Sequence, residues 1–181
     1  MRFGTAFVLA ALATAASITS VSAQTAPPAA AKPAATEKTI GPEGKWTTKD
    51  GSPTYNIQAD GTMDWFTYSG FRRYHSECHV CHGPDGEGST YAPALKDSVK
   101  TINYAEFYGI VVGGKQELGG GENKVMPALG DNKNVMCYID DIYVYLRARS
   151  GDAIGRGRPG KHEDKPPQAA DAEQACLADK N

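Results

Sequence analysis

The sequence is poor in three things that each exclude a class of protein: net positive charge, long apolar runs and cysteine. Lys plus Arg number 19 against 21 Asp plus Glu, a formal charge of −2, so no basic field exists to neutralise a phosphate backbone and nucleic acid is excluded as a partner. Four cysteines in 181 residues are too few for a disulfide-dense scaffold. What remains, 40% hydrophobic and 22% charged with no internal repeat, suits one modest globular domain with loose ends.

The one sustained apolar run is N-terminal. Arg2 is the single charged residue of positions 1–23, Phe3 to Ile18 are apolar or small, and Val21-Ser22-Ala23 precedes Gln24. Gly4, Thr5, Thr14 and Ser17 dilute the run, which falls short of the roughly 20 residues that span a bilayer. Residues 1–23 therefore read as a cleaved secretory signal, with an uncleaved anchor as the alternative. Export would deliver the chain to the periplasm, an oxidising compartment that permits disulfides, without a membrane span in the mature chain.

Residues 24–45 are rich in Ala, Pro, Lys and Thr and read as a flexible linker. Residues 46–68 carry the turn signals Asp50-Gly51 and Asp60-Gly61, the second flanked by Tyr55, Ile57, Met63 and Trp65, and predict a small N-terminal β-hairpin. Helices are expected over Gly70–Cys78, over Thr101–Val112 and, most strongly, over Asn132–Arg149. In the last of these, Val135, Tyr138, Ile139, Ile142, Tyr145 and Leu146 recur at helical spacing. Asp131 is its candidate N-cap and Gly151 its stop. Residues 113–125 hold five Gly and read as a long mobile loop, and residues 151–181 as an irregular tail anchored only by Cys176 and Leu177.

Cys78-His79-Val80-Cys81-His82 is a C-x-x-C-H string, the haem-attachment pattern. Two thiols three residues apart can add across the vinyl groups of a haem, and the following imidazole reaches the iron. Zinc would need four ligands from five successive residues, which cannot easily surround a tetrahedral ion. A thioredoxin-like pair would want a βαβ context that is absent here. A Cys78–Cys81 disulfide is the third alternative.

With these residues in place the chain resembles a class I c-type cytochrome over residues 69–150: mainly α, three to five helices around one covalent haem c. The resemblance implies that Gly70 and Tyr74 on the first helix pack against Tyr145 on the last. It implies that the Pro93 carbonyl in Ala92-Pro93-Ala94-Leu95 accepts a hydrogen bond from His82, with Leu95 lining the haem. Met126 before Pro127 becomes the distal ligand, so that His82 and Met126 hold the iron. Met63, Met136, His75, His79 and His162 are the competing ligands, with His79 excluded by the attachment geometry and His75 expected to face solvent.

The hairpin, the basic run Arg147–His162 and the extra Cys137 and Cys176 are similar to the methanol-metabolism-related, four-cysteine c-type cytochromes. That resemblance implies a monomeric one-electron carrier with a pyrroloquinoline quinone (PQQ) methanol dehydrogenase, particularly the lanthanide kind, as donor and a downstream cytochrome or oxidase as acceptor. It also leaves Cys137 and Cys176 free to form a disulfide that ties the tail back. The rival functions are a peroxidase-type haem enzyme with an open distal site, or a cytochrome subunit of a larger oxidoreductase. Glu117, Glu122 and Asn123 in the glycine-rich loop form no recognised calcium-loop spacing.

Overall fold

The computed structural model describes Met1 and residues 37–41, 43–119 and 124–179. Apart from Met1, the expected secretory signal lies outside the described residues, as do residues 24–36 of the expected linker and Glu122 and Asn123. The described part is mainly helical, with two short antiparallel ladders.

The chain enters through β1 (Lys38–Ile40), which pairs with β2 (Trp46–Thr48) in the register Ile40 opposite Trp46. The first strand thus falls inside the stretch expected to be linker. Three residues of Lys-Thr-Ile have no amphipathic signature of their own, and pairing with β2 supplies the order. The turn expected at Asp60-Gly61 is present as a tight bend closed by Gln58 N–H to the Thr62 carbonyl at 2.8 Å, with Ile57 bridging Met63.

Helix α1 (Trp65–Glu77) starts five residues earlier than the expected Gly70 because Asp64 caps it. The Asp64 carboxylate accepts from Thr67 N–H at 2.9 Å and Thr67 Oγ1 at 2.6 Å, and from Asn56 N–H at 2.8 Å, which ties the preceding bend to the helix. Asp64 is buried, and that burial pushes its carboxyl above the usual carboxylate range against the pull of those donors.

The chain continues through α2 (His79–His82), α3 (Leu95–Ser98) and α4 (Tyr104–Gly113), then the ladder of β3 (Lys115–Glu117) with β4 (Lys124–Met126). Its strands take up residues 115–117 and 124–125 of the stretch expected to be a loop, of which residues 120–123 lie outside the described residues. Asn103 and Glu106 close a capping box at the start of α4, and Phe107 packs its ring 5.1 Å from Tyr143.

The expected single helix over Asn132–Arg149 is two: α5 (Lys133–Met136), capped by Asn132 rather than Asp131, and α6 (Ile139–Ser150). The break is one tightened turn, with Tyr138 N–H bonded to the Val135 carbonyl at 3.0 Å, so the apolar phase runs through it nearly unchanged. The residues at the break are held from elsewhere. Cys137 is joined to Cys176, and the Arg73 guanidinium lies 3.6 Å over the Tyr138 ring.

The expected irregular tail carries α7 (Pro167–Ala178), an Ala-rich helix with Pro at its first turn. Only Ala169 of α7 is buried, which is why its sequence shows no apolar stripe. The Cys137–Cys176 disulfide, with Cα atoms 5.7 Å apart, and the Lys165–Glu173 ion pair at 2.8 Å hold this region.

The core is the crossing of α1 and α6, where Tyr74, Tyr145 and Leu146 are almost fully buried. Gly70 permits it: a Cβ there would lie 1.8 Å from the Asp141 carbonyl oxygen. The Tyr74 and Tyr145 rings meet at 5.5 Å, as the resemblance implied.

Candidate haem-binding site

Helix α1 ends at Cys78 and the chain makes one further turn, α2, in which His82 N–H bonds the Cys78 carbonyl at 3.0 Å and Cys81 N–H the same oxygen at 3.3 Å. Spacings of three and four on a helical turn make Cys81 and His82 each a neighbour of Cys78 one turn on. Cys78 and Cys81 form no disulfide, whereas Cys137 and Cys176 are bonded to each other.

Gly83 then turns the chain at φ 71°, and a Cβ there would lie 2.1 Å from the Gly88 carbonyl oxygen. This close approach folds residues 83–94 back over the motif. Gly88 N–H bonds the His82 carbonyl at 2.8 Å, Ser89 Oγ bonds the Cys81 carbonyl, and the Pro93 carbonyl arrives 2.9 Å from His82 Nδ1. A carbonyl only accepts, so Nδ1 carries the proton and Nε2 keeps its lone pair for a metal. His82 is itself buried.

Tyr74 fastens the same turn from below. Its hydroxyl donates to the Gly83 carbonyl at 2.6 Å and accepts from Gly86 N–H at 3.1 Å. The hydroxyl's role adds to the ring contact that the resemblance implies for Tyr74. Asp85, inside the same turn, holds a left-handed backbone at φ 57° and is buried. Around Asp85 converge Gly157 N–H at 3.1 Å, Tyr145 Oη at 3.3 Å, His75 Nε2 at 3.5 Å and Arg156 Nε at 3.6 Å. Buried Arg149 reaches its backbone carbonyl at 3.2 Å and pairs with Glu87 at 2.8 Å. The signal available in sequence was an Asp inside a Gly-Pro-Asp-Gly-Glu-Gly run, which reads simply as a helix breaker.

Leu95 and Met126 are half-buried against the core, Leu95 opening α3 and Met126 closing β4. The competing ligands lie elsewhere or are engaged. Met63 is a core residue bridging Ile57 and His162, and Met136 walls a cleft of about 220 Å³ together with Trp65, Phe66 and Cys176 that includes none of the motif residues. His162 stacks on Tyr68 at 3.6 Å. His75, expected in solvent, is packed against Phe71 at 4.4 Å and bonds the Phe71 carbonyl, because its position on α1 faces Asp85.

The donor set fits a covalent haem better than the alternatives. Burial, with the Glu77 charge and Cys81 adding to it, pushes the Cys78 thiol up to about 12, the reverse of what a thioredoxin-like nucleophile requires. Among the described residues no group of three His, Cys, Asp or Glu side chains is arranged to hold a metal ion.

No family model matches the chain. It is 56% identical over 135 residues, 75% of its length, to cytochrome c-553I of Paracoccus denitrificans, and spans 60% of that protein. It is 35% identical over 96 residues, 52% of its length, to cytochrome c-555 of Methylococcus capsulatus, covering 72% of it. The crystal structure of the c-type cytochrome XoxG from Methylobacterium extorquens AM1 matches with a TM-score of 0.69 and 66% identity, over 74% of this chain and 81% of that one. The chain belongs to the class I c-type cytochromes.

That class consists of electron-transfer proteins, and as a member the chain carries one covalently attached haem c. In this cytochrome no helix among the described residues is long and apolar enough to cross a membrane.

Proposed function

We propose that this cytochrome is a periplasmic one-electron carrier in which Cys78 and Cys81 hold the haem by thioethers, and His82 and Met126 are the axial ligands. It would accept electrons from a PQQ methanol dehydrogenase of the lanthanide kind and pass them toward a terminal oxidase. The observation that carries the site is the 2.9 Å contact of His82 Nδ1 with the Pro93 carbonyl, on the turn that also holds Cys78 and Cys81. The donor assignment is supported by the resemblance to methanol-related four-cysteine cytochromes and the 66% identity to XoxG.

When bound, the haem supplies a centre that cycles between ferric and ferrous iron. The protein's share is to hold and tune it. Cys78 and Cys81 fix it to the α2 turn, and the Pro93 carbonyl orients the His82 ring and raises its basicity. A Met126 thioether, soft and neutral, favours the ferrous form and raises the potential. Tyr74 and Arg149 stiffen the turn between these groups.

The test is the spectrum of the holoprotein. The weak far-red ferric band of sulfur-to-iron ligation should be present, vanish in Met126→Ala and persist in Met136→Ala. Ready binding of carbon monoxide or peroxide by the wild type would instead open the distal site and reverse the assignment. Stopped-flow mixing with reduced PQQ methanol dehydrogenase should then show haem reduction, and its absence would remove the donor while leaving the ligands intact.

A further inference from the structure

Met126 lies at the end of a glycine-rich stretch, yet the backbone on both sides of it is attached to the core helix α4. On the near side, Gly114 ends α4 with φ 72° and ψ 179°, a conformation essentially restricted to Gly. A Cβ at Gly114 would lie 2.7 Å from the Met126 carbonyl oxygen, 2.8 Å from Ala128 N and 3.0 Å from the Pro127 carbonyl carbon. One residue later Lys115 faces Met126 across the β3–β4 ladder.

On the far side, Leu129 N–H donates to the Val111 carbonyl at 2.9 Å and Gly130 N–H to the Val112 carbonyl at 3.2 Å. These bonds use carbonyls that the end of a helix leaves unpaired. A Cβ on Gly130 would meet Val112 Cγ1 and its carbonyl oxygen at 3.1 Å. Val111 and Phe107 on α4 are buried in the core, so the clamp is anchored there.

We infer that Gly114 is a positioning residue for Met126: its bare Cα lets the Met126–Ala128 backbone lie against the end of α4, and this contact presents the thioether to the iron. The inference rests on Met126 being the distal ligand. A neutral thioether is a weak ligand, and its occupancy depends on how little freedom its backbone loses on binding. Forcing the segment off α4 removes that advantage and lets small exogenous ligands compete.

The experiment uses the holoprotein with haem attached and titrates ferric imidazole binding, alongside the far-red band and the reduction potential. In Gly114→Ala the overpacking against backbone should tighten imidazole binding by about ten- to a hundredfold, weaken the band and lower the potential. Gly113→Ala is the control, since a Cβ there meets nothing within 4 Å, and it should behave as wild type. Gly130→Ala, with its milder contact, should shift imidazole affinity in the same direction by less, and it carries the test if Gly114→Ala does not fold. Wild-type imidazole affinity with the band intact in Gly114→Ala, or in Gly130→Ala where only that variant folds, would overturn the inference. A band that survives in Met126→Ala would show instead that the ligand assignment has failed, and the inference would fall with it.

Discussion

Gly70→Ala should damage this cytochrome more than any exposed substitution, because the methyl has nowhere to go. It would lie 1.8 Å from the Asp141 carbonyl oxygen, 2.5 Å from the carbonyl carbon and 2.9 Å from Tyr145 Cβ. Ordinary non-bonded contact is about 3.5 Å or more, so α1 and α6 must separate by roughly an ångström or more. Tyr74, Tyr145 and Leu146 lose their packing together, and the 2.6 Å bond from Ser69 Oγ to Asp141 is stretched. Overpacking costs about 1–3 kcal/mol where side chains can yield. Here the obstacle is backbone, which places the loss near the upper figure, about 3 kcal/mol, or a fall in Tm of about 6–12 °C. Urea unfolding of the holoprotein, followed by far-UV circular dichroism, measures it. Gly109→Ala is the counterpart: in mid-α4 with nothing within 4 Å of its Cβ, it should gain about 0.8 kcal/mol from helix propensity. An unchanged urea midpoint in Gly70→Ala would refute the reasoning.

The disulfide closes a separation of 39 residues, so Cys137→Ser with Cys176→Ser should lower stability by up to about 4 kcal/mol in the chain-entropy account. Alkylation of the wild-type holoprotein without reductant should add nothing, and two adducts would contradict the bond. Burial pushes Asp141 up to about 7 against the Ser69 hydrogen bond and the Lys45 charge. The folded state therefore holds this proton more tightly than the unfolded chain. Its stabilisation is complete below the ordinary carboxyl range and is lost as pH rises through about 7. Asp141→Asn should accordingly gain on wild type by up to about 4 kcal/mol between about pH 4 and pH 8, and a difference that stays flat across that range would disprove the burial argument. Tyr74→Phe leaves the Gly83 carbonyl and Gly86 N–H without their hydroxyl and should cost about 1–3 kcal/mol in a thermal melt. A melt identical to wild type would show that the hydroxyl does not hold the turn.

The parts of this protein legible in its sequence are those whose meaning is local. Cys81 and His82 come back beside Cys78 because one helical turn spaces them so. Gly70 and Tyr74 stand one turn apart on α1, and Gly151 ends α6 as its position suggests. The apolar spacing of Val135 to Leu146 announced buried helix correctly, but it was blind to the tightened turn at Tyr138, because one such turn scarcely shifts the phase.

What only the tertiary structure decided is where a segment depends on a distant partner. Lys38–Ile40 becomes a strand through β2, and α7 is held by Cys137 with only Ala169 buried, so neither writes a periodic signal. Asp85 turned from loop residue to buried junction because His75, Tyr145 and the adjacent Arg156 and Gly157 converge on it from three places in the chain. Met126 shows the division most plainly. The resemblance to class I c-type cytochromes, through the Met and the Pro after it, nominated it. The carbonyls of Val111 and Val112 and the missing side chain of Gly114 hold its segment in place, and those contacts exist only once α4 is packed in the core.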